Sequence, residues 1–174
     1  MVAPKHTIVV LVANRPGVLN RVASLFRRRG FNIESIAVGA SELPEVSRMT
    51  IIVDGANTLV EQVRKQLDKV VDVIKVSDIT GDNIISRELA LIKVKTTPSS
   101  RSEIMQIVDI FRAKIVDVAS DSIAVEVTGD EDKVDSLYNL LRPFGVKEIS
   151  RTGVVAMTRG TLGSDIGISR DDDQ

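Results

Sequence analysis

The chain has 174 residues, 43% of them apolar but only 3% aromatic, and a net charge of −1. That length allows one medium domain or two small ones, with a core of Val, Ile and Leu. The near-zero charge offers no field to recruit nucleic acid or an anionic membrane, and the lack of Cys excludes disulfides and thiolate metal sites and fits a reducing compartment. No apolar run approaches the ~20 residues of a membrane span, and Met1–His6 lacks the apolar stretch of a signal peptide. A soluble, cytoplasmic chain is the expectation. With one His, one Tyr and no Cys, most nucleophile–base pairs cannot be assembled. His6 reads as a solvated or strand-edge residue rather than a catalytic or metal-binding one.

In chain order, Thr7–Ala13 is a β-rich run. Val18–Arg29 is helical, with Val18, Leu19, Val22, Ala23 and Phe26 on one face. Gly30 after three arginines fits a helix end, where cations meet the negative pole of the dipole. Phe31–Val38 and Val46–Val53 are strands, the latter with Met49, Ile51 and Val53 on one face. A helix near Thr58–Lys69 carries Leu59, Val63 and Leu67, and Val70–Ile79 is the fourth strand.

After Gly81-Asp82-Asn83 the series repeats. Glu88–Lys95 is a strand, and Ser102–Ala113 a helix with Ile104, Ile107, Val108 and Phe111 inward. Lys114–Ala119 and Ser122–Val127 are strands around a hairpin-like turn. Asp130–Leu141 is a helix with Val134, Leu137 and Leu141 inward, and Val146–Met157 is a last strand interrupted near Gly153. Two consecutive βαββαβ units predict an α+β chain of two ferredoxin-like sandwiches. The expected domains are 1–80 and 88–160, with a linker at 81–87 and a disordered tail at 161–174. Ile8–Val12 is apolar on both faces, so a partner subunit or the other domain should cover the side that the helices do not.

The candidate site is the turn Asn14–Leu19. Pro16 suits a first helical position, and Gly17 leaves the first-turn N–H groups bare. Bare N–H groups at the positive end of a helix dipole seat an anion such as a carboxylate. Asn14 reads either as the helix N-cap or as a ligand contact; Gly17 reads either as a close-packing residue or as the bare N–H. Asn32 begins a strand expected beside the first one, where it would face Asn14, or is simply a turn residue. Arg29-Gly30-Phe31 echoes an RNA-recognition signature only weakly, since no stacking aromatic follows. Arg27–Arg29 is a helix-end charge cluster or a basic patch for a protein partner. The acids at Asp130–Asp132 are explained by the helix dipole rather than by metal.

These residues carry a resemblance. Asn14-x-x-Gly17-Val18-Leu19-x-Arg21-Val22, Arg29-Gly30-Phe31-Asn32-Ile33-Glu34-Ser35 and Ser47-Arg48-Met49-Thr50-Ile51 resemble the ACT domain of the regulatory (small) subunits of acetolactate synthase, also called acetohydroxyacid synthase. Phe111–Val118 and Gly153–Gly160 are similar to the same family, so the likeness spans about residues 6–160. It implies a non-catalytic subunit that activates a separate catalytic subunit and confers feedback by valine, leucine or isoleucine. It further implies a homodimer of ACT domains joined edge to edge, with the effector between them at Asn14, Gly17, Val18, Leu19, Asn32 and Ile33. Thiamine diphosphate, FAD and magnesium would belong to the catalytic partner, leaving this chain with no cofactor or metal of its own. Two other classes are an amino-acid-sensing ACT module of a different regulator and an acylphosphatase-like enzyme. The second would need Arg15 and Asn32 in one phosphate cradle.

Overall fold

The computed structural model describes residues 5–55 and 57–160, the side chains of 57–59 aside. The expected inward Leu59 and the tail at 161–174 therefore lie outside the described residues. The elements are β1 (Lys5–Ala13), α1 (Val18–Arg28), β2 (Ile33–Ala40), β3 (Val46–Asp54), α2 (Asn57–Leu67), β4 (Val73–Asp78), β5 (Ile84–Lys95), α3 (Arg101–Ile110), β6 (Lys114–Val118), β7 (Ser122–Gly129), α4 (Glu131–Gly145), β8 (Val146–Arg151) and β9 (Val155–Thr158). The two repeats expected from the sequence are both present, and among the described residues no helix is long and apolar enough to cross a membrane.

The first sheet runs β2-β3-β1-β4 and all its pairings are antiparallel. Ile8 lies opposite Ile51 and Val10 opposite Met49. With Val12 and Val53 these side chains form one face, which packs on Val18, Val22, Leu25 and Phe26 of α1 and Val60, Val63 and Leu67 of α2. Leu19 does not join that face: it is 48% exposed, and Leu25 fills the inward position. Alternation sends Val9 and Leu11 to the other face, yet both are as buried as their neighbours.

Their cover comes from this chain. Ala156 packs with Val9, Leu11, Val46 and Ile79, flanked by Leu43 and Ile84. The Arg48 guanidinium donates to the Ala156 carbonyl at 2.8 Å, and burial pushes the Arg48 pKa down. The Arg159 N–H donates to the Asn83 carbonyl at 2.8 Å. The chain accordingly divides into residues up to Ile85 together with those from Ala156, and a second unit, Ser86–Val155. This departs from the expected 88–160 domain, because β9 pairs with β5 but its residues from Ala156 onward belong to the first unit. It also departs from the 81–87 linker, because β5 is already a strand at Ile84.

The second unit has the order β6-β7-β5-β8. Its core is Ala90, Ile92, Val94, Ile123, Val125 and Val127 against Ile104, Val108, Val134, Leu137 and Leu141. Buried Glu88 pairs with Arg151, whose Nη1 reaches Asp135 at 2.7 Å, tying β5, β8 and α4 together. Asp130 caps α4 by accepting from the Lys133 N–H at 2.9 Å, which accounts for the acids at that position. The helix continues past the expected end at Leu141 and carries Pro143 in its last turn.

The first helix of each unit ends in the same closure. The Phe31 N–H donates to the Phe26 carbonyl and Gly30 to Arg27; Ala113 donates to Val108 and Arg112 to Asp109. Both are Schellman motifs, which place the residue after the C-cap in the left-handed region. Gly30 takes it at φ 71°, whereas Arg112 is forced there at φ 51°. Replacing Arg112 with Gly is expected to stabilise the chain by about 1 kcal/mol, and Gly30→Ala to destabilise it by about as much, in urea unfolding.

At the other end of α1, the Arg21 guanidinium pairs with Asp72, a carboxylate only 8% exposed. Arg21→Ala leaves that buried acceptor without its donor, an expected loss of about 1–3 kcal/mol. The Arg21→Ala/Asp72→Ala double variant should unfold at higher urea than Arg21→Ala alone.

Candidate functional site

The turn after β1 is held by its backbone. The Ala13 N–H donates to the Asp72 carbonyl at 2.8 Å, Asn14 to the Glu45 carbonyl at 2.8 Å, and Arg15 to the Ala13 carbonyl at 2.9 Å. Asp72 thus accepts twice, by its carbonyl from β1 and by its carboxylate from Arg21 of α1. The sequence reading missed this residue; an acid inside the apolar run Val70-Val71-Asp72-Val73 is the signal that marks it.

Gly17 is the N-cap of α1 at φ 86°, and its carbonyl accepts the first helical bond from the Arg21 N–H at 3.1 Å. Pro16 therefore precedes the helix instead of opening it, because the chain needs the left-handed step at residue 17 before α1 can start. That same step removes Asn14 from the capping position, three residues too early. A Cβ on Gly17 would meet nothing within 4 Å, so close packing does not explain the glycine; its positive φ does. No side chain caps α1 and no acid lies in its first turn. Among the described residues, no side chain accepts from the N–H groups of Val18, Leu19 and Asn20, which keep the positive end of the dipole open. Asn14 and Leu19 are exposed beside them, while the Val18 side chain is buried in the core and offers only its backbone.

Asn32 is elsewhere. β3 lies between β2 and β1, so Asn32 is not beside the first strand as expected. Ile33 aligns with Val53 and through it with His6, whereas Ala40 aligns with Ser47 and through it with Val12. Asn32 therefore sits level with the start of β1 and Asn14 beyond its end, roughly 25–30 Å apart along the strands of one chain. Ile33 is half-buried against the core. The same separation keeps Arg15 and Asn32 from forming one phosphate cradle, which removes the acylphosphatase-like reading.

Of the two expectations for His6, solvated or strand-edge, the solvated one fails. The residue lies inside β1 and is 6% exposed, with Nδ1 3.5 Å from the Thr80 hydroxyl and 3.7 Å from Asp78. It faces the helix side of the sheet, opposite Val53.

Comparison with known proteins bears directly on this arrangement. Residues 8–75 match the model of the AHAS small subunit-like ACT domain, and residues 87–160 that of the small subunit of acetolactate synthase. The acetolactate synthase small subunit of Mycobacterium leprae is 54% identical over 160 residues, 92% of this chain and 95% of that protein. That of Bacillus subtilis is 54% identical over 159 residues, 90% and 92% of the two chains. The crystal structure of the small subunit from Thermotoga maritima superposes with a TM-score of 0.84 at 46% identity, covering 91% of this chain and 99% of that one. With both repeats matched and such identity over nine-tenths of its length, the chain belongs to the acetolactate synthase small subunit family, and its first repeat is an ACT domain.

Proposed function

We propose that this chain is the non-catalytic, regulatory subunit of an acetolactate synthase, activating a catalytic subunit and rendering it sensitive to branched-chain amino acids. The thiamine diphosphate, FAD and magnesium of the reaction then reside on that partner. The observation that carries the reading is the open N-terminus of α1 behind Gly17, with exposed Asn14 and Leu19 alongside. An amino-acid carboxylate is matched by the bare N–H groups, Asn14 meets the polar end of the zwitterion, and Leu19 offers apolar surface to an aliphatic side chain.

Half of this site comes from a second copy. β2 is an edge strand, Val38 on it is 48% exposed, and its sequence Ile33–Ala40 has no Pro or Lys to deter pairing. Antiparallel pairing of two β2 edges lays the start of one strand beside the end of the other. That end is the one where β1 delivers Asn14 and Gly17. Asn32 of the second copy thereby reaches the site that Asn32 of the same chain cannot. Helical spacing supports this: Leu19 and Ala23 fall on the flank of α1 away from Asn20, Arg21, Ser24 and Arg28, and so toward the β2 edge. An effector at such an interface acts by binding one dimer arrangement more tightly than the other, and couplings of this kind are typically 1–3 kcal/mol.

L-Valine, L-leucine or L-isoleucine at one hundred times its Kd should stabilise the fold by about 2.7 kcal/mol. Differential scanning fluorimetry reads this as a rise in Tm absent with the D-enantiomers; no rise with any of the three would end the sensor reading. Asn14→Ala and Asn32→Ala should each abolish the response. Co-expressed and purified as a mixed dimer, the two variants should regain one effector per dimer by calorimetry, because one of the two sites is then intact. A mixed dimer that binds nothing would mean that Asn14 and Asn32 do not share a site.

A further inference from the structure

The other flank of α1 forms a groove with the segment that follows α2. It is lined by Asn20, Arg21, Ser24 and Arg28 on the helix and by Lys69, Val70 and Val71 opposite. Arg21 and Arg28 stand one heptad apart on the same flank, and no acid lines the groove. Of the acids that flank the lining in sequence, Asp72 is buried and committed to Arg21, and Asp68 lies 3.9 Å from Arg64 of α2. Arg28 and Lys69 have no ion pair among the described residues, nor have the adjoining Arg27 and Arg29. By contrast the neighbouring helix neutralises its own cations, Arg64 with Glu61 and Asp68 and Lys65 with Glu61. The dipole at the end of α1 favours cations there, but it gives no reason for Lys69 to face them across a groove. Nor does it explain Val71, which is 94% exposed beside them. An exposed apolar side chain rimmed by arginines is the composition of a protein contact.

We propose that this groove docks an acidic segment of the catalytic subunit, one bearing an aliphatic residue that packs on Val70 and Val71. This rests on the regulatory reading above. Arg28 and Lys69, two cations with no paired acid, are complementary to carboxylates, and Arg21, held in place by Asp72, presents its remaining N–H donors beside them. The groove also lies on the flank of α1 that pairing through β2 leaves uncovered. One helix then carries the effector at its N-terminus, a second copy on one flank and the catalytic subunit on the other. Any shift of α1 on effector binding is felt at the docking contact without passing through the second unit.

The test is reconstitution of the full chain with the catalytic subunit, measuring the concentration that gives half-maximal activation at low and at physiological salt. Arg28→Glu/Lys69→Glu should raise that concentration about tenfold or more and flatten its salt dependence, with the valine-induced rise in Tm unchanged. Val71→Ser, at a position too exposed to affect folding, should raise it severalfold. Lys114→Glu, on the second unit, should leave it unaltered. Wild-type activation matched by Arg28→Glu/Lys69→Glu would overturn the docking site while leaving the regulatory reading standing. Failure of the wild-type chain itself to activate would instead overturn that reading. The remaining occupant is the acidic segment Asp171–Asp173 of this chain. If Arg28→Glu/Lys69→Glu alters activation in the full chain but not once residues 161–174 are removed, that segment and not the catalytic subunit fills the groove, and the proposal falls.

Discussion

Everything in the first unit depends on the burial of one strand from both sides. Ile8 through Val12 are each 2% exposed or less, and burying a Val, Leu or Ile side chain fully contributes roughly 1.5–3 kcal/mol. Two helices satisfy one face of that strand. The second face is satisfied by Ala156, with Arg48 holding its carbonyl in place. The strand's central position fixes where its end emerges, between Asp72 and Glu45, whose carbonyls hold the turn that leads to Gly17. The open helix terminus is thus a consequence of core packing at one remove.

Periodicity made the elements and the duplicated fold legible. Apolar residues at helical spacing located α3 and α4, and alternation located β3, because both depend only on near neighbours in the chain. Strand order is not local. Asn32 was expected beside β1 because β2 follows it in sequence, but the crossover of α1 carries the chain past one strand position, which β3 then fills. The return of residues from Ala156 to the first unit was hidden for the same reason. Pro16 was misread because a favourable φ for a first helical residue says nothing of the positive φ that Gly17 must adopt next. Arg112 shows the limit from the other direction: its left-handed backbone is imposed by the closure of α3, and its residue type gives no hint of it.

The candidate site was half legible. Asn14, Gly17 and Leu19 are gathered at one helix terminus, as their spacing implied, and Val18 contributes backbone only. What a single chain does not gather is Asn32. A pattern quoted as a continuous motif can belong to one site although its parts lie at opposite ends of a sheet, provided that two copies of the sheet meet antiparallel. The separation that disqualified Asn32 within one chain is what makes an edge-to-edge pair informative.

The division of the first unit around the second bears on how the chain is made. Ser86–Val155 is contiguous and carries its own core, so it can close as soon as it has left the ribosome. The preceding 85 residues emerge earlier but cannot finish, since the piece that seals Val9 and Leu11 is synthesised some seventy residues later. During that interval the nascent chain presents an apolar sheet face to solvent. The order of completion is therefore the reverse of the order of synthesis, and the ACT domain is the last to become native.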